Sequence, residues 1–210
     1  MADAKSTKSG THGAKHTLCR RIGFCLWGCP NCPTVKGMAR AYSAGPHGKG
    51  RRDKLSTYGE LLLEKQKLRH YYAISEKQLQ IAYAKAKSGS GQAGDKLFCG
   101  LETRLDALVY RAGFAPTIFA AKQYVNHGHI LVDGKRVDRA SYQVREGQVL
   151  SIDAAKSPVV AEAAKKSNAT IPAYLEVDLE NVKATLVRKP QVDEIPVPVK
   201  IMSVVEYYAR

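Results

Sequence analysis

A change of hydrophobic period near residue 128 constrains this chain more than any other feature. Leu101, Leu105, Leu108, Val109 and Ala112 recur at steps of four, three, one and three, which sets them on one face of a helix. Gly113 offers the left-handed residue that ends it. Thr117 can cap a second helix running to about His127 and ending at Gly128. Beyond it apolar residues alternate: Ile130 and Val132 precede Asp133-Gly134, a strong two-residue hairpin turn, and Val137 follows. Tyr142, Val144 and, past a turn at Glu146-Gly147, Val149 and Ile152 read as further strand. Two helices braced by a hairpin are therefore expected at about 101–153.

The flanks extend this pattern. Ser56 is an N-cap for STYGELLLEKQKLRHYY, where Tyr58, Leu61, Leu62, Lys65, Leu68 and Tyr72 approximate one face. Ser75 and Gln78 have capping-box spacing, and Leu79, Ala82, Tyr83 and Ala86 follow at helical steps. The run SGSGQAG at 88–94 is a break. Downstream, Ser157 and Pro158 open a helix. LEVDL and ATLVR pair across Glu180-Asn181, and VPVKIMSVVEYYAR can dock as a terminal helix. The fold class expected is α+β. An irregular basic arm spans 1–54. A helical domain spans 55–98, completed by 197–210. A mixed domain with a small, mostly antiparallel sheet spans 99–196. A chain of 210 residues is long enough for one or two such cores.

Charge points to the partner. Residues 1–60 hold 11 basic and 3 acidic groups, 61–98 hold 7 and 3, 99–153 hold 7 and 6, and 154–210 hold 8 and 7, so +12 of the net +14 falls in the first 98 residues. Condensation on a polyanion gains from so one-sided a field, because each neutralised phosphate releases counterions. No segment pairs a Lys/Arg face with a continuous bulky apolar face, which argues against a membrane surface. No run approaches the roughly 18 apolar residues of a membrane span, and the polar opening MADAKSTKSGTHGAKHT reads as no secretory signal. An odd count of five cysteines fits a reducing, cytoplasmic location rather than a disulfide framework.

Within the helix-helix-hairpin unit, Arg104, Arg111, Lys122, Lys135 and Arg136 can reach phosphates, and His127 and His129 can bond sugars or phosphates. Arg104 and Asp106 read equally well as helix-surface charges. Upstream candidates for RNA contact are Arg20, Arg21, Arg40, His47, Lys49, Lys65, Lys67 and Arg69.

LETRLDALVYRAGFA (101–115) followed by HGHILVDGKRVD (127–138) resembles the S-four RNA-binding module, and more narrowly that module in bacterial-type small-subunit ribosomal protein S-four. RAYSAGPHG at 40–48 is similar to that family's Pro-Gly-Gln-His-Gly segment. EKQKLRHYYAISEKQ at 64–78, SYQVREGQVLSI and the closing VVEYYAR match as well, so the resemblance spans roughly 16–210. Departures are Thr117, Ile118 and Phe119 where the family usually carries Ser-Arg-Arg or similar, Pro46 for a Gln, and Tyr174 for a Trp. The resemblance implies a structural role in the small ribosomal subunit. It implies binding to the 5′ domain of its RNA early in assembly, a place near the messenger entrance, and contact with the neighbouring protein S-five. Arg51, Arg52 and Lys54 fall near the family's messenger-entrance cations.

Two rivals share the module. Pseudouridine synthases use an Asp in an Arg-Leu-Asp context, which Arg104-Leu105-Asp106 spells, but here the triplet lies inside the module's first helix. After the module too little chain remains for a catalytic domain of usual size. Heat-shock or ribosome-rescue proteins lack the basic arm and the VVEYYAR ending. No enzyme activity is expected.

Cys19, Cys25, Cys29 and Cys32 fall within fourteen residues, and Cys29-Pro30-Asn31-Cys32 is a CxxC knuckle. His16-Thr17-Leu18-Cys19 is an alternative knuckle that would leave Cys25 spare. A structural zinc would fix an arm with little core of its own; the alternative is four reduced cysteines ordered only by RNA. Cys99 reads as a small core residue.

Overall fold

The structure is a computed structural model that describes residues 16–29, 32–37, 42–43, 45, 48, 54–89, 91–154, 156–165 and 169–209. It is α+β. In chain order the helices are α1 (Thr17–Ile22), α2 (Thr57–Tyr71), α3 (Glu76–Lys87), α4 (Ala93–Glu102), α5 (Leu105–Arg111) and α6 (Ile118–Asn126). Strands β1 (Ile130–Val132), β2 (Lys135–Arg136) and β3 (Val149–Ile152) follow, then α7 (Pro158–Lys165), β4 (Leu175–Asp178), β5 (Lys183–Leu186) and α8 (Ile201–Ala209).

Local chemistry sets the helix starts. The Ser56 hydroxyl accepts from Gly59 N–H (3.2 Å), and Thr117 Oγ1 accepts from Ala120 N–H (3.1 Å). Ser75 and Gln78 close a capping box at α3. Leu68, Tyr72, Leu79, Leu97, Phe98 and Leu101 then form one core with Val204 of α8. Each fully buried side chain of this size contributes roughly 1.5–3 kcal/mol.

The five strands run in the order β2-β1-β3-β5-β4, antiparallel throughout. Asp133 and Gly134 both have positive φ, 50° and 77°, as a two-residue hairpin requires. Ile130, Val132, Leu150, Ile152, Ala184 and Leu186 point to one side. There they join Leu105, Leu108 and Val109 of α5 and Ala161 and Ala164 of α7 in a second core.

Three expectations change. The helical face read through Leu101 to Ala112 belongs to two helices. Thr103 Oγ1 donates back to Cys99 O (2.8 Å), Arg104 turns extended, and Leu105 N–H donates to Tyr142 O (2.9 Å). The 140–144 segment captures the chain between α4 and α5. Because of that capture, Tyr142 and Val144 join no named strand; Gln143 forms an isolated bridge with Arg104. The N-terminal arm is not wholly irregular either, since α1 buries Leu18 and Cys19 against Leu26 and Cys32. Trp27 Nε1 donates to Tyr71 O (3.2 Å), and its ring meets Phe119 edge-on at 5.5 Å, tying this small core to α2 and α6.

Candidate nucleic-acid interface and metal centre

The end of α6 and the β1–β2 hairpin bring four of the sequence-predicted RNA residues to one corner. Lys135 and Arg136 are exposed on β2, and neither takes part in an ion pair among the described residues. Arg136 reaches back to donate to His127 O (3.4 Å), and the His127 and His129 rings stand 5.8 Å apart. His129 Nδ1 meets the Ser157 hydroxyl, which fixes the ring against the start of α7. Gly128 (φ 71°) makes this corner possible, since a Cβ there would fall 1.9 Å from Arg136 Nε. A guanidinium, an ammonium and an imidazole on one exposed corner suit phosphate and sugar contact.

Other predicted cations are engaged inside the protein. Arg104 forms two bonds to Asp106 (3.0 and 2.7 Å), with both residues buried. Arg111 is buried against Glu102. Lys65 pairs with Glu76 (2.8 Å) and lies 4.6 Å from the Tyr207 ring centre. Lys67 pairs with Glu64 (2.5 Å), and Arg69 with Glu76 (3.9 Å). Lys122 donates to Ala73 O (3.0 Å), and its burial lowers its pKa. Arg20 Nε donates to Tyr42 O (2.8 Å), while Arg21 and Lys54 are exposed. Arg40, His47, Lys49, Arg51 and Arg52 lie outside the described residues. Lys85, Arg139, Arg145 and Lys189 are exposed cations that the sequence reading did not single out, although Arg145 lies within the quoted SYQVREGQVLSI. Asp106, the aspartate of the pseudouridine-synthase triplet, is closed to substrate by burial and by Arg104.

The cysteine cluster gathers four donors, and the set differs from the four cysteines read in sequence. Ligand atoms of His16, Cys19, Cys25 and Cys32 all lie within 4.8 Å of one another. Ligands about 2.3 Å from a tetrahedral centre stand roughly 3.8 Å apart, so the group is close to a Cys₃His zinc geometry. Cys29 is not among them: its backbone N–H donates to Cys25 Sγ (3.3 Å), while its own Sγ lies 4.0 Å from Trp27 O. The turn between Cys25 and Cys32 thus supports the site through the Cys29 backbone. The helical turn of α1 supplies the other two donors, three residues apart. Burial pushes the Cys19 thiol up to about 12 and raises Cys25. Burial also acts on Cys32, but hydrogen bonds from Thr34 and from the Cys25 and Cys19 thiols outweigh it and hold this thiol low. Three thiols and an imidazole gathered at this spacing are a donor set that a cation would complete. Cys99, apart from this group, donates to Pro190 O (2.9 Å).

A helical half, an antiparallel sheet and a helix-helix-hairpin corner define the class, an S4-domain protein. Residues 103–150 match the family model described as S4 domain, and residues 11–102 match the one described as Ribosomal protein S4/S9 N-terminal domain. Small ribosomal subunit protein uS4 of Phenylobacterium zucineum is 45% identical over 206 residues, covering 96% of this chain and 99% of its own. The proteins of that name from Cereibacter sphaeroides and Rhodospirillum rubrum are each 44% identical over 202 residues, covering 94% of this chain and 97% of theirs. The chain belongs to the small ribosomal subunit protein uS4 family. It is accordingly a structural protein and not an enzyme. Among the described residues no helix is long and apolar enough to cross a membrane.

Proposed function

We propose that this chain is a structural protein of the small ribosomal subunit that binds structured ribosomal RNA in its 5′ domain early in assembly. The corner of exposed His127, Lys135 and Arg136 and half-buried His129, with no acidic partner among the described residues, carries the reading. The one-sided charge of the first 98 residues supports it by supplying a long-range field. Arg51, Arg52 and Lys54 are proposed to face messenger at its entrance, with S-five as a protein neighbour, in the cytoplasmic ribosome. The division at 54, 98 and 196 is proposed too, on two cores of different composition, although Leu101, Ala107, Ile118 and Ile195 of the middle segment pack into the helical one and Tyr110 touches both. His16, Cys19, Cys25 and Cys32 would hold a structural zinc, which would cross-link the arm without chemistry of its own. The test is sedimentation of tagged chain with small subunits at about one copy each, together with binding to a 5′-domain RNA fragment. Protein found only free of subunits, and without affinity for that fragment, overturns the reading.

A further inference from the structure

Two cavities adjoin along α4. One, of about 470 Å³, lies between α3 and α4 and has Ile81, Ala82, Lys85 and Leu97 in its wall. The other, of about 520 Å³, is bordered by Arg145, Glu146 and Lys189. They share Lys96, Gly100 and Gln143, so they form one groove. A Cβ on Gly100 would meet nothing within 4 Å, which leaves the floor open.

The groove is rich in uncommitted positive charge. The Lys96 ammonium is shielded from solvent and has no hydrogen-bond partner among the described residues. It rests against Gly89, where a Cβ would come within 2.6 Å of Nζ. A shielded cation without an anion is costly, and its four-carbon stem can swing into either cavity. Lys85, Arg145 and Lys189 are exposed and form no ion pair among the described residues. The acid on the rim, Glu146, already accepts from Lys189 N–H (2.9 Å). Ile81, 60% exposed, gives the wall an apolar face without a partner.

We propose that this groove binds an unpaired stretch of RNA. One backbone phosphate sits on Lys96, its neighbours on Lys85 and on Arg145 and Lys189, and a splayed base lies on Ile81 and Ala82. The proposal rests on the RNA reading above and adds a second contact, remote from the hairpin corner. A recessed groove admits single-stranded nucleotides, whose bases can leave the stack. An acidic protein segment suits it less. Gln143 already accepts from the Thr103 hydroxyl (2.8 Å) and donates one N–H to Gly100 O (3.0 Å), which leaves it one further N–H for a peptide backbone.

The test measures binding of the full chain to a short oligouridine and to the 5′-domain fragment at several salt concentrations. Lys96→Met should weaken oligouridine binding roughly tenfold, the scale of a charged hydrogen bond, and lower the log–log salt slope by about 0.7. Its melting temperature should hold or rise, since no ion pair is lost. Lys85→Ala and Ile81→Ser, both on the exposed wall, should weaken oligouridine binding without unfolding, and Lys165→Ala on α7 should change nothing. Unchanged binding by all three groove variants, with wild type still holding the 5′-domain fragment, overturns the groove alone. Wild type that binds neither RNA overturns the RNA reading beneath it. Competition by polyglutamate as effective as oligouridine at equal charge overturns the assignment to nucleic acid in favour of an acidic protein.

Discussion

The Tyr174 hydroxyl donates a 2.7 Å hydrogen bond to the carboxylate of Glu102, joining the approach to β4 with the last residue of α4. Glu102 is fully buried, and it also accepts from the Tyr72 hydroxyl and from Arg111. One carboxylate thus ties the helical core to the sheet core. Burial, and then the carboxylate itself, push the Tyr72 and Tyr174 hydroxyls far above their ordinary range, so both remain donors. Glu102→Gln would leave the Arg111 charge buried without a counterion. It should cost about 3–5 kcal/mol by urea denaturation, against about 1–2 kcal/mol for Tyr174→Phe, which removes one donor.

Arg104→Ala and Arg111→Ala should behave as stability mutants, each lowering the urea midpoint. Lys135→Ala and Arg136→Ala should leave the midpoint in place. Each should flatten the log–log salt dependence of RNA binding by roughly 0.7 to 0.9 if it touches phosphate. Equal slopes for wild type and the double hairpin variant would remove the corner from the binding face.

Gly128→Ala should destabilise by about 1–2 kcal/mol, because an L residue is strained at φ 71°. It should also weaken RNA binding beyond that strain by driving the Arg136 side chain off His127. Adding Arg136→Ala to it should produce little further loss of RNA affinity.

Purified protein should carry about one zinc per chain. Cys19→Ser, Cys25→Ser or Cys32→Ser should release it and loosen the first 54 residues to protease, and His16→Ala should weaken it. Cys29→Ser should keep the metal, since that thiol points elsewhere. Zinc lost equally from all four cysteine variants would restore the ligand set read from sequence.

Acid should loosen the hairpin. The Asp133 carboxylate accepts from Val149 N–H (2.9 Å) and Gln148 Nε2 (2.7 Å), which hold its pKa below the ordinary 3.8. A depressed folded pKa means that these bonds stabilise the fold above the unfolded value and are lost as pH falls through the lower folded one. The urea midpoint should therefore drop below about pH 4, and less steeply in Asp133→Asn.

Caps and turns were legible because their chemistry is local: Ser56, Ser75 and Thr117 act on residues three positions away, and the backbone turn at Asp133-Gly134 joins adjacent strands. The break at Thr103-Arg104 was not, because its cause is a segment near residue 142 that only the fold brings back. Arg104 and Arg111 read as phosphate ligands for a related reason, since a sequence shows charge but not burial. In the metal group the donors were legible as a cluster, but spacing favoured the CxxC cysteine. The turn instead aims Cys29 Sγ away and brings His16 in from one helical turn before Cys19.

Lys200 N–H donates to Glu64 (3.0 Å) and the Tyr208 hydroxyl to Glu76 (3.1 Å), bonds that reach back across 136 and 132 residues. A ribosome making this chain releases α2 and α3 long before α8 exists to cover them. The helical half must therefore wait, with Leu68 and Leu97 in reach of any other apolar surface, until nearly the whole chain has emerged. Closing so long a loop is slow. Chaperone occupancy during synthesis should accordingly concentrate on residues 57–102 and end when α8 clears the exit tunnel.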